Sequence, residues 1–195
     1  PGTAGGAVRG NAGAYGGCMA DVISGVEVFD VETGKVKNFS KDECEFEYRA
    51  SFFKKNKNLV ILKVKLKFSD TDSERLIAKS QELIRARQEK EPKLPSAGCV
   101  FKNIPMEKIK GNEKVEAFLN EVKFDKVPAG LLIDKAHLKG KKIGGAKISE
   151  KHANFIVNAG NASADDVLKL ISLMKMKIRN KFGVDLELEI EVVGS

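Results

Sequence analysis

SADDVLKLISLMKMKIRNKFGVDLELEIEV, residues 163–192, changes its hydrophobic period partway along. Ser163 is placed to cap a helix, with Asp165 and Asp166 in the first turn and Lys175, Lys177, Arg179 and Lys181 in the last turns. That charge order suits the helix dipole, and Gly183 supplies the left-handed residue that closes such a helix. Beyond it Val184, Leu186, Leu188, Ile190 and Val192 alternate with Asp185, Glu187, Glu189 and Glu191. A period of two over nine residues predicts a strand with one apolar and one acidic face. A long helix running into a strand, with more strands upstream, indicates an α+β fold.

The upstream strands read as follows. Val22 to Phe29, a turn at Glu32-Thr33-Gly34-Lys35, and Val36 onward form a hairpin. Ser40 and Glu43 fit a capping box, so a short helical turn precedes Phe46-Glu47-Tyr48-Arg49. Leu62, Val64, Leu66 and Phe68 alternate with Lys63, Lys65 and Lys67, predicting a half-buried strand with a basic, solvated edge. Asp70 to Lys90 reads as an amphipathic helix with Leu76, Ile77, Leu83 and Ile84 on one face. Pro92 and Pro95 break the chain and set a domain boundary, giving residues 1–93 and 94–195. In the second part a short helix is expected over Gly130 to Leu138, with strands near Ala146–Ile148 and Asn154–Asn158. No internal repeat is visible.

The opening PGTAGGAVRGNAGAYGG holds seven glycines in 17 residues. Interleaved Ala, Val8, Asn11 and Tyr15 distinguish it from a flexible linker and suit a backbone folded closely around a ligand. It is neither a Walker A loop nor a dinucleotide fingerprint, because it lacks GK[ST] and no strand leads into a GxGxxG.

Composition narrows the function classes. With 42% hydrophobic and 31% charged residues the chain has the make-up of a folded domain. No apolar run approaches the roughly 18 residues of a membrane span, and no basic-then-apolar leader opens it. Cys18, Cys44 and Cys99 form no CxxC, and with His137 and His152 they make no zinc spacing, so reduced thiols and no metal are expected. The formal charge of +7 is spread along the chain, without Trp and with only two Tyr. Nucleic-acid binding by stacking is disfavoured and a phosphate-bearing small ligand favoured.

Taken singly, the chemistry-bearing residues leave alternatives open. Cys99 follows a Pro-Ser-Ala-Gly turn that could present a thiol to a cleft near Lys102, and it could equally be a small buried hydrophobe. Glu189 is one of four acids on a strand face that solvent alone would explain, and Arg49 could be structural. His152 has no carboxylate or second histidine at a productive spacing.

Read in order, the segments resemble the UDP-N-acetylenolpyruvoylglucosamine reductase family of MurB-type flavoenzymes. The matching pieces include Pro1–Ala7, Asn11–Gly16, Tyr48–Lys54, Pro95–Asn103, Ala129–Asp134, Leu138–Gly140, Ile143–Ala146, His152–Phe155 and Leu186–Ile190. The resemblance implies that 1–93 is the second lobe of a FAD-binding domain of the vanillyl-alcohol-oxidase/PCMH-like kind. It implies that 94–195 is an α+β substrate-binding domain. The implied reaction is NADPH- and FAD-dependent reduction of UDP-N-acetylglucosamine enolpyruvate to UDP-N-acetylmuramate, in peptidoglycan and cell-wall synthesis, by a cytoplasmic monomer. A non-catalytic FAD or sugar-nucleotide binding fragment, or another flavin oxidoreductase of the same FAD fold, is the alternative.

By the same resemblance Arg49, Cys99 and Glu189 are catalytic. Arg49 and Glu189 hold the substrate carboxylate and stabilise the enolate-like species, and Cys99 donates the proton from a position where the family usually carries serine. Gly5, Gly6, Asn11, Gly13, Ala14 and Tyr15 are the implied FAD contacts; Tyr48, Lys90, Asn103 and His152 are the implied UDP-sugar contacts. Two departures go with it. The short join from Phe68 to Arg87 matches members without a tyrosine-bearing loop over the substrate, and the family's first FAD lobe would precede Pro1.

Overall fold

Residues 2–70, 72–118 and 125–194 are described by a computed structural model. Pro1 of the glycine-rich opening and Thr71 of the predicted helix Asp70–Lys90 lie outside the described residues. The chain divides within that helix into the units Pro1–Leu83 and Ile84–Ser195.

In the first unit α1 (Ala4–Arg9) starts at Thr3, whose hydroxyl accepts from Gly6 N–H at 3.0 Å. A two-residue turn joins β1 (Gly13–Ala14) to β2 (Gly17–Cys18), with left-handed φ at Tyr15 (53°) and Gly16 (87°). Positive φ at both central residues is the type I′ pattern that tight hairpins favour. Gly13 is obligatory there, because a Cβ would stand 2.8 Å from Gly17 O and 2.9 Å from Cys18 Cβ. α2 (Met19–Val22) then feeds β3 (Ile23–Asp30), which pairs with β4 (Lys35–Ser40) as the predicted hairpin. Asp30 fixes its turn: Oδ1 accepts from Glu32 N–H, and Oδ2 takes the Lys37 ammonium at 2.6 Å. The capping box is also present, with Ser40 N–H donating to Glu43 Oε2 at 2.8 Å ahead of a 3₁₀ turn at Asp42–Cys44.

α3 (Phe52–Lys55) precedes β5 (Leu59–Leu66), which completes an antiparallel sheet of order β4-β3-β5. Its core gathers Val8, Ile23, Val26, Val28, Cys44 and Phe53, with the Phe39 ring 5.3 Å from Phe53 and 5.4 Å from Phe52. The predicted inward set of β5 is corrected by a bulge. Lys63 pairs with Glu27 but Ile61 with the next residue, Val28, so Leu62 is the extra residue. One extra residue reverses which parity faces inward. Leu59, Ile61 and Val64 pack on the core, while Leu62, Leu66 and Phe68 are exposed, Phe68 by 71%. The lysines lie on an outer strand as expected, and Lys63 meets Glu27 at 2.9 Å.

α4 (Ser73–Lys90) forms where the periodicity predicts, but none of its residues is buried, and Leu76, Ile77 and Ile84 are all more than half exposed. Periodicity marks a face that can be buried; burial itself needs a facing surface.

The second unit contains β6 (Ser96–Cys99), β7 (Ile104–Pro105), α5 (Glu113–Glu116), β8 (Lys126–Val127) and α6 (Ala129–Lys135). These are followed by β9 (Lys142–Ile143), β10 (Ala146–Ile148), β11 (Phe155–Asn158) and α7 (Ala164–Phe182). An antiparallel sheet of order β6-β11-β10-β9 is flanked by a separate β7-β8 pair. α7 packs on β9, β10 and α6, burying Leu170, Ile171, Met174, Ile178 and Phe182. Each such side chain contributes about 1.5–3 kcal/mol, so burial rather than helix propensity holds α7 in place.

The ends of α7 match the sequence. Ser163 Oγ accepts from Asp166 N–H, Asp166 accepts from Ser163 N–H, and Gly183 takes φ 68°. α6 stops at Lys135 in a Schellman motif, with Leu138 N–H to Ile133 O, His137 N–H to Asp134 O, and His137 left-handed at φ 56°. The predicted final strand is corrected. Val184 and Leu186 are buried and Asp185 and Glu187 exposed, as alternation requires, yet among the described residues pairing reduces to a single bridge, Leu188 to Phe101, and Val192 is 47% exposed. The partner segment is short, because Ile104 already turns away to pair with β8.

Candidate active site

Each unit carries part of the predicted constellation. In the first, Glu47 and Ala50 exchange backbone hydrogen bonds of 3.1 and 3.2 Å around a turn tipped by Tyr48 and Arg49. Arg49 has φ 58°, a left-handed conformation that a long side chain adopts only at a cost of about 1–3 kcal/mol. Its guanidinium carbon lies 5.3 Å from the centre of the Tyr48 ring, and Lys54 Nζ donates to its carbonyl. Tyr15, on the β1–β2 turn, is also left-handed and is half exposed.

The glycine-rich segment is committed to its own fold at two of the predicted positions. Gly6 N–H is taken by Thr3. Asn11 is buried at φ 42°, with Nδ2 donating to Glu47 O (2.9 Å) and Oδ1 accepting from Ala20 N–H (3.0 Å). Asn11 therefore shapes the loop with its side chain, and its backbone N–H is taken by Val8 O at 3.0 Å. Ala12, Ala14, Tyr15, Gly16 and Gly17 are exposed. Gly5 approaches Ile61 of β5, with room for a Cβ at 3.5 Å.

In the second unit Cys99 ends β6, opposite Phe155 of β11 and after Gly98 at φ 85°. The C-terminal segment runs alongside the residues that follow it, with Glu189 N–H to Val100 O at 2.8 Å and Lys102 N–H to Glu187 O at 2.9 Å. Cys99 and Glu189 thus sit on adjacent backbones, both half-buried. Of the acidic row, Glu187 meets the Lys102 ammonium. A cavity of about 400 Å³ borders β6, β11 and the start of α7, but Val100 and Ile190 line it rather than Cys99 and Glu189.

One residue supports this segment that sequence reasoning left without a role. Asn154, 2% exposed, accepts from Phe101 N–H at 3.0 Å and donates to Phe101 O at 2.8 Å, while its own carbonyl accepts from Val100 N–H. A single asparagine thereby fixes both polar groups of the residue two places after Cys99.

The predicted sugar-nucleotide contacts divide. Asn103 Oδ1 accepts from Ala129 N–H at 3.3 Å and so starts α6 behind Pro128. His152 Nδ1 accepts from Asn154 N–H at 3.2 Å, which assigns the proton of the neutral ring to Nε2. The ring packs on Phe155 at 4.7 Å and lies close over Gly130, where a Cβ would touch it at 3.4 Å. Burial holds its pKa below the usual range; the charge of Glu91 acts the other way, and those of Lys139 and Lys90 add to the lowering. Lys90, the last residue of α4, thus shares the electrostatic surroundings of His152. Among the described residues no cluster of His, Cys, Asp and Glu could hold a metal ion, and no helix is long and apolar enough to cross a membrane.

Comparison with known proteins agrees with these segments. Residues 87–193 match the model of the UDP-N-acetylenolpyruvoylglucosamine reductase C-terminal domain. A reductase of that name from Thermotoga petrophila is 44% identical over 193 residues, 98% of this chain and 60% of its own length. One from Caldanaerobacter subterraneus is 41% identical over the whole of this chain and 57% of its own. The crystal structure of the reductase from Thermus caldophilus superposes with a TM-score of 0.74 at 37% identity, over 96% of this chain and 59% of that one. The chain therefore spans about three-fifths of the length of the relatives it matches. On the family match and on identity along nearly its entire length, the chain belongs to the UDP-N-acetylenolpyruvoylglucosamine reductase family.

Proposed function

We propose that the protein of which this chain forms part reduces UDP-N-acetylglucosamine enolpyruvate to UDP-N-acetylmuramate for peptidoglycan, using FAD and NADPH, as a cytoplasmic monomer. Residues 1–93 then belong to the FAD-binding domain as its second, PCMH-like lobe, and residues 94–195 bind the substrate. The observation that carries this reading is the pairing of Glu189 N–H with Val100 O, which sets the candidate acid Cys99 beside the candidate carboxylate Glu189 within a family-matched segment.

The first unit is chemically suited to a flavin diphosphate. Its exposed residues Ala12, Ala14, Gly16 and Gly17 have no bulk to keep a phosphate from the backbone, and the I′ turn adds two successive left-handed residues. Gly5, Gly6, Asn11, Gly13, Ala14 and Tyr15 are the proposed contacts. When bound, FAD supplies hydride transfer from NADPH to the enolpyruvyl double bond. The chain's own residues handle the rest. Addition of hydride to the terminal carbon leaves negative charge delocalised into the substrate carboxylate. Arg49 and Glu189 are proposed to stabilise that charge, Glu189 doing so when protonated or bridged by a cation. Cys99 Sγ–H gives its proton to the carbon next to the carboxylate, the sulfur keeps the electron pair, and solvent reprotonates it. Lys90 meets the UDP diphosphate as a point charge, with Tyr48, Asn103 and His152 as the further sugar-nucleotide contacts.

The test is substrate-dependent NADPH consumption, together with flavin absorbance after desalting. In Cys99→Ala NADPH still reduces bound flavin while turnover is lost, because only the protonation is removed. In Cys99→Ser turnover is retained. A folded Cys99→Ser variant without turnover, or a Cys99→Ala variant in which flavin reduction fails too, refutes the role of Cys99.

A further inference from the structure

Ser51 occupies the N-cap of α3, where a serine hydroxyl ordinarily accepts from the helix's first N–H groups. It makes no such bond. Its side chain is fully buried, and Oγ–H instead donates to Arg9 O at 2.7 Å, 42 residues upstream. Arg9 ends α1, so the hydroxyl satisfies a carbonyl that a helix terminus leaves without an intrahelical partner. Two residues further on, Asn11 Nδ2 donates to Glu47 O at 2.9 Å. The segment Arg9–Asn11 is therefore tied at two points to the Glu47–Ser51 turn, one on each side of Tyr48 and Arg49. Left-handed backbone of the kind seen at Arg49 persists only where the surroundings over-determine it, and these two ties add to the Glu47–Ala50 hydrogen bonds and the Lys54 bond to the Arg49 carbonyl.

We infer that Ser51 is a positioning residue for Arg49. Through Arg9 O it holds the arginine-bearing turn in one frame with the glycine-rich segment, so that the group meeting the substrate carboxylate and the backbone meeting the flavin are aligned together. This rests on the roles proposed above for Arg49 and for the glycine-rich segment.

The experiment compares Ser51→Ala with Ser51→Thr in the full chain by amide hydrogen exchange, and then by the two half-reactions. Ser51→Ala speeds exchange of the Glu47 and Ala50 amides about tenfold, the factor one hydrogen bond of ordinary net strength is worth. The amides of Ile23–Asp30 keep their rates. Substrate-dependent turnover falls by a similar factor or more, flavin reduction by NADPH stays within about twofold, and Ser51→Thr, which keeps the hydroxyl, restores both turn and turnover. Three results overturn the inference: unchanged exchange at Glu47 and Ala50, exchange accelerated equally throughout β3, or equal loss in both half-reactions. If the unsubstituted protein of which this chain forms part shows no substrate-dependent turnover with FAD, the proposed function is what fails. Exchange at Glu47 and Ala50 then still decides whether the tie exists.

Discussion

Replacing Asn154 by aspartate makes the stability of the second unit depend on pH in a calculable way. In the native unit Oδ1 accepts from Phe101 N–H and Nδ2 donates to Phe101 O, both bonds lying in the buried core. Neutral aspartic acid can reproduce both, with its O–H in place of Nδ2. The ionised form keeps the first and turns a carboxylate oxygen toward the Phe101 carbonyl. Leaving that acceptor unsatisfied costs about 1–3 kcal/mol, and burying the unpaired charge adds to it. A total of about 3 kcal/mol corresponds to a carboxyl pKa raised by roughly two units, from about 3.9 to about 6. A raised folded-state pKa contributes stability that is full below the unfolded value and is lost as pH rises through the folded one. Urea midpoints of Asn154→Asp and the native chain should therefore converge near pH 4 and separate by pH 7, while Asn154→Leu stays low throughout. Midpoints of Asn154→Asp that run parallel to the native ones across this range would refute the reasoning.

Three further outcomes follow from the geometry. Gly145→Ala would place a Cβ 2.1 Å from Gly160 O and 2.4 Å from Ala162 N, both backbone atoms. Overpacking of this kind costs about 3 kcal/mol, which thermal unfolding should show as a fall of roughly 6–12 °C for a domain of this size. The bulge in β5 predicts that Ile61→Ala lowers the unfolding free energy of the first unit by about 1–2 kcal/mol, read from denaturant midpoints, while Leu62→Ala stays within about 0.5 kcal/mol. A strand of unbroken alternation would give the reverse. Asp166 is held below the usual carboxylate range, first by Ser163 N–H and then by Gly145 N–H. Its stabilisation is present above the unfolded carboxyl pKa and is lost as pH falls through the lower folded value, so Asp166→Asn should differ from the native chain at neutral pH and approach it in acid.

What the sequence revealed was mostly local. The caps at Ser163 and Gly183, the Ser40–Glu43 box and the β3–β4 turn each depend on residues within a few positions of one another, and all are present. The errors have one origin. The bulge at Leu62 is specified by how β5 meets β3, which lies more than 30 residues earlier, and period alone carries no information about that partner. The C-terminal alternation gave the right faces at Val184 and Leu186 but could not show that the facing segment ends at Ile104. The apolar stripe of α4 was legible as a stripe, and its exposure was not. At the candidate site the residue types were visible in order, whereas the nearness of Glu189 to Cys99 depends on strand neighbours 89 or 90 positions apart in the chain.

The two asparagines explain why the supporting residues escaped notice. Asn11 reaches Glu47 across 36 positions, and Asn154 reaches Phe101 across 53. Each is buried, and each satisfies one backbone N–H and one backbone carbonyl with a single uncharged group. Asparagine's amide carries a donor and an acceptor side by side, which neither a carboxylate nor an ammonium does at neutral pH. A chain that must hold an irregular segment rigid without burying a charge has few other side chains able to do so. Both asparagines grip such segments, Asn11 the base of the Arg49 turn and Asn154 the residues just after Cys99. The support of the candidate site in each unit is thus neutral, two-headed and distant in sequence, so that no charge pattern or short motif would single it out.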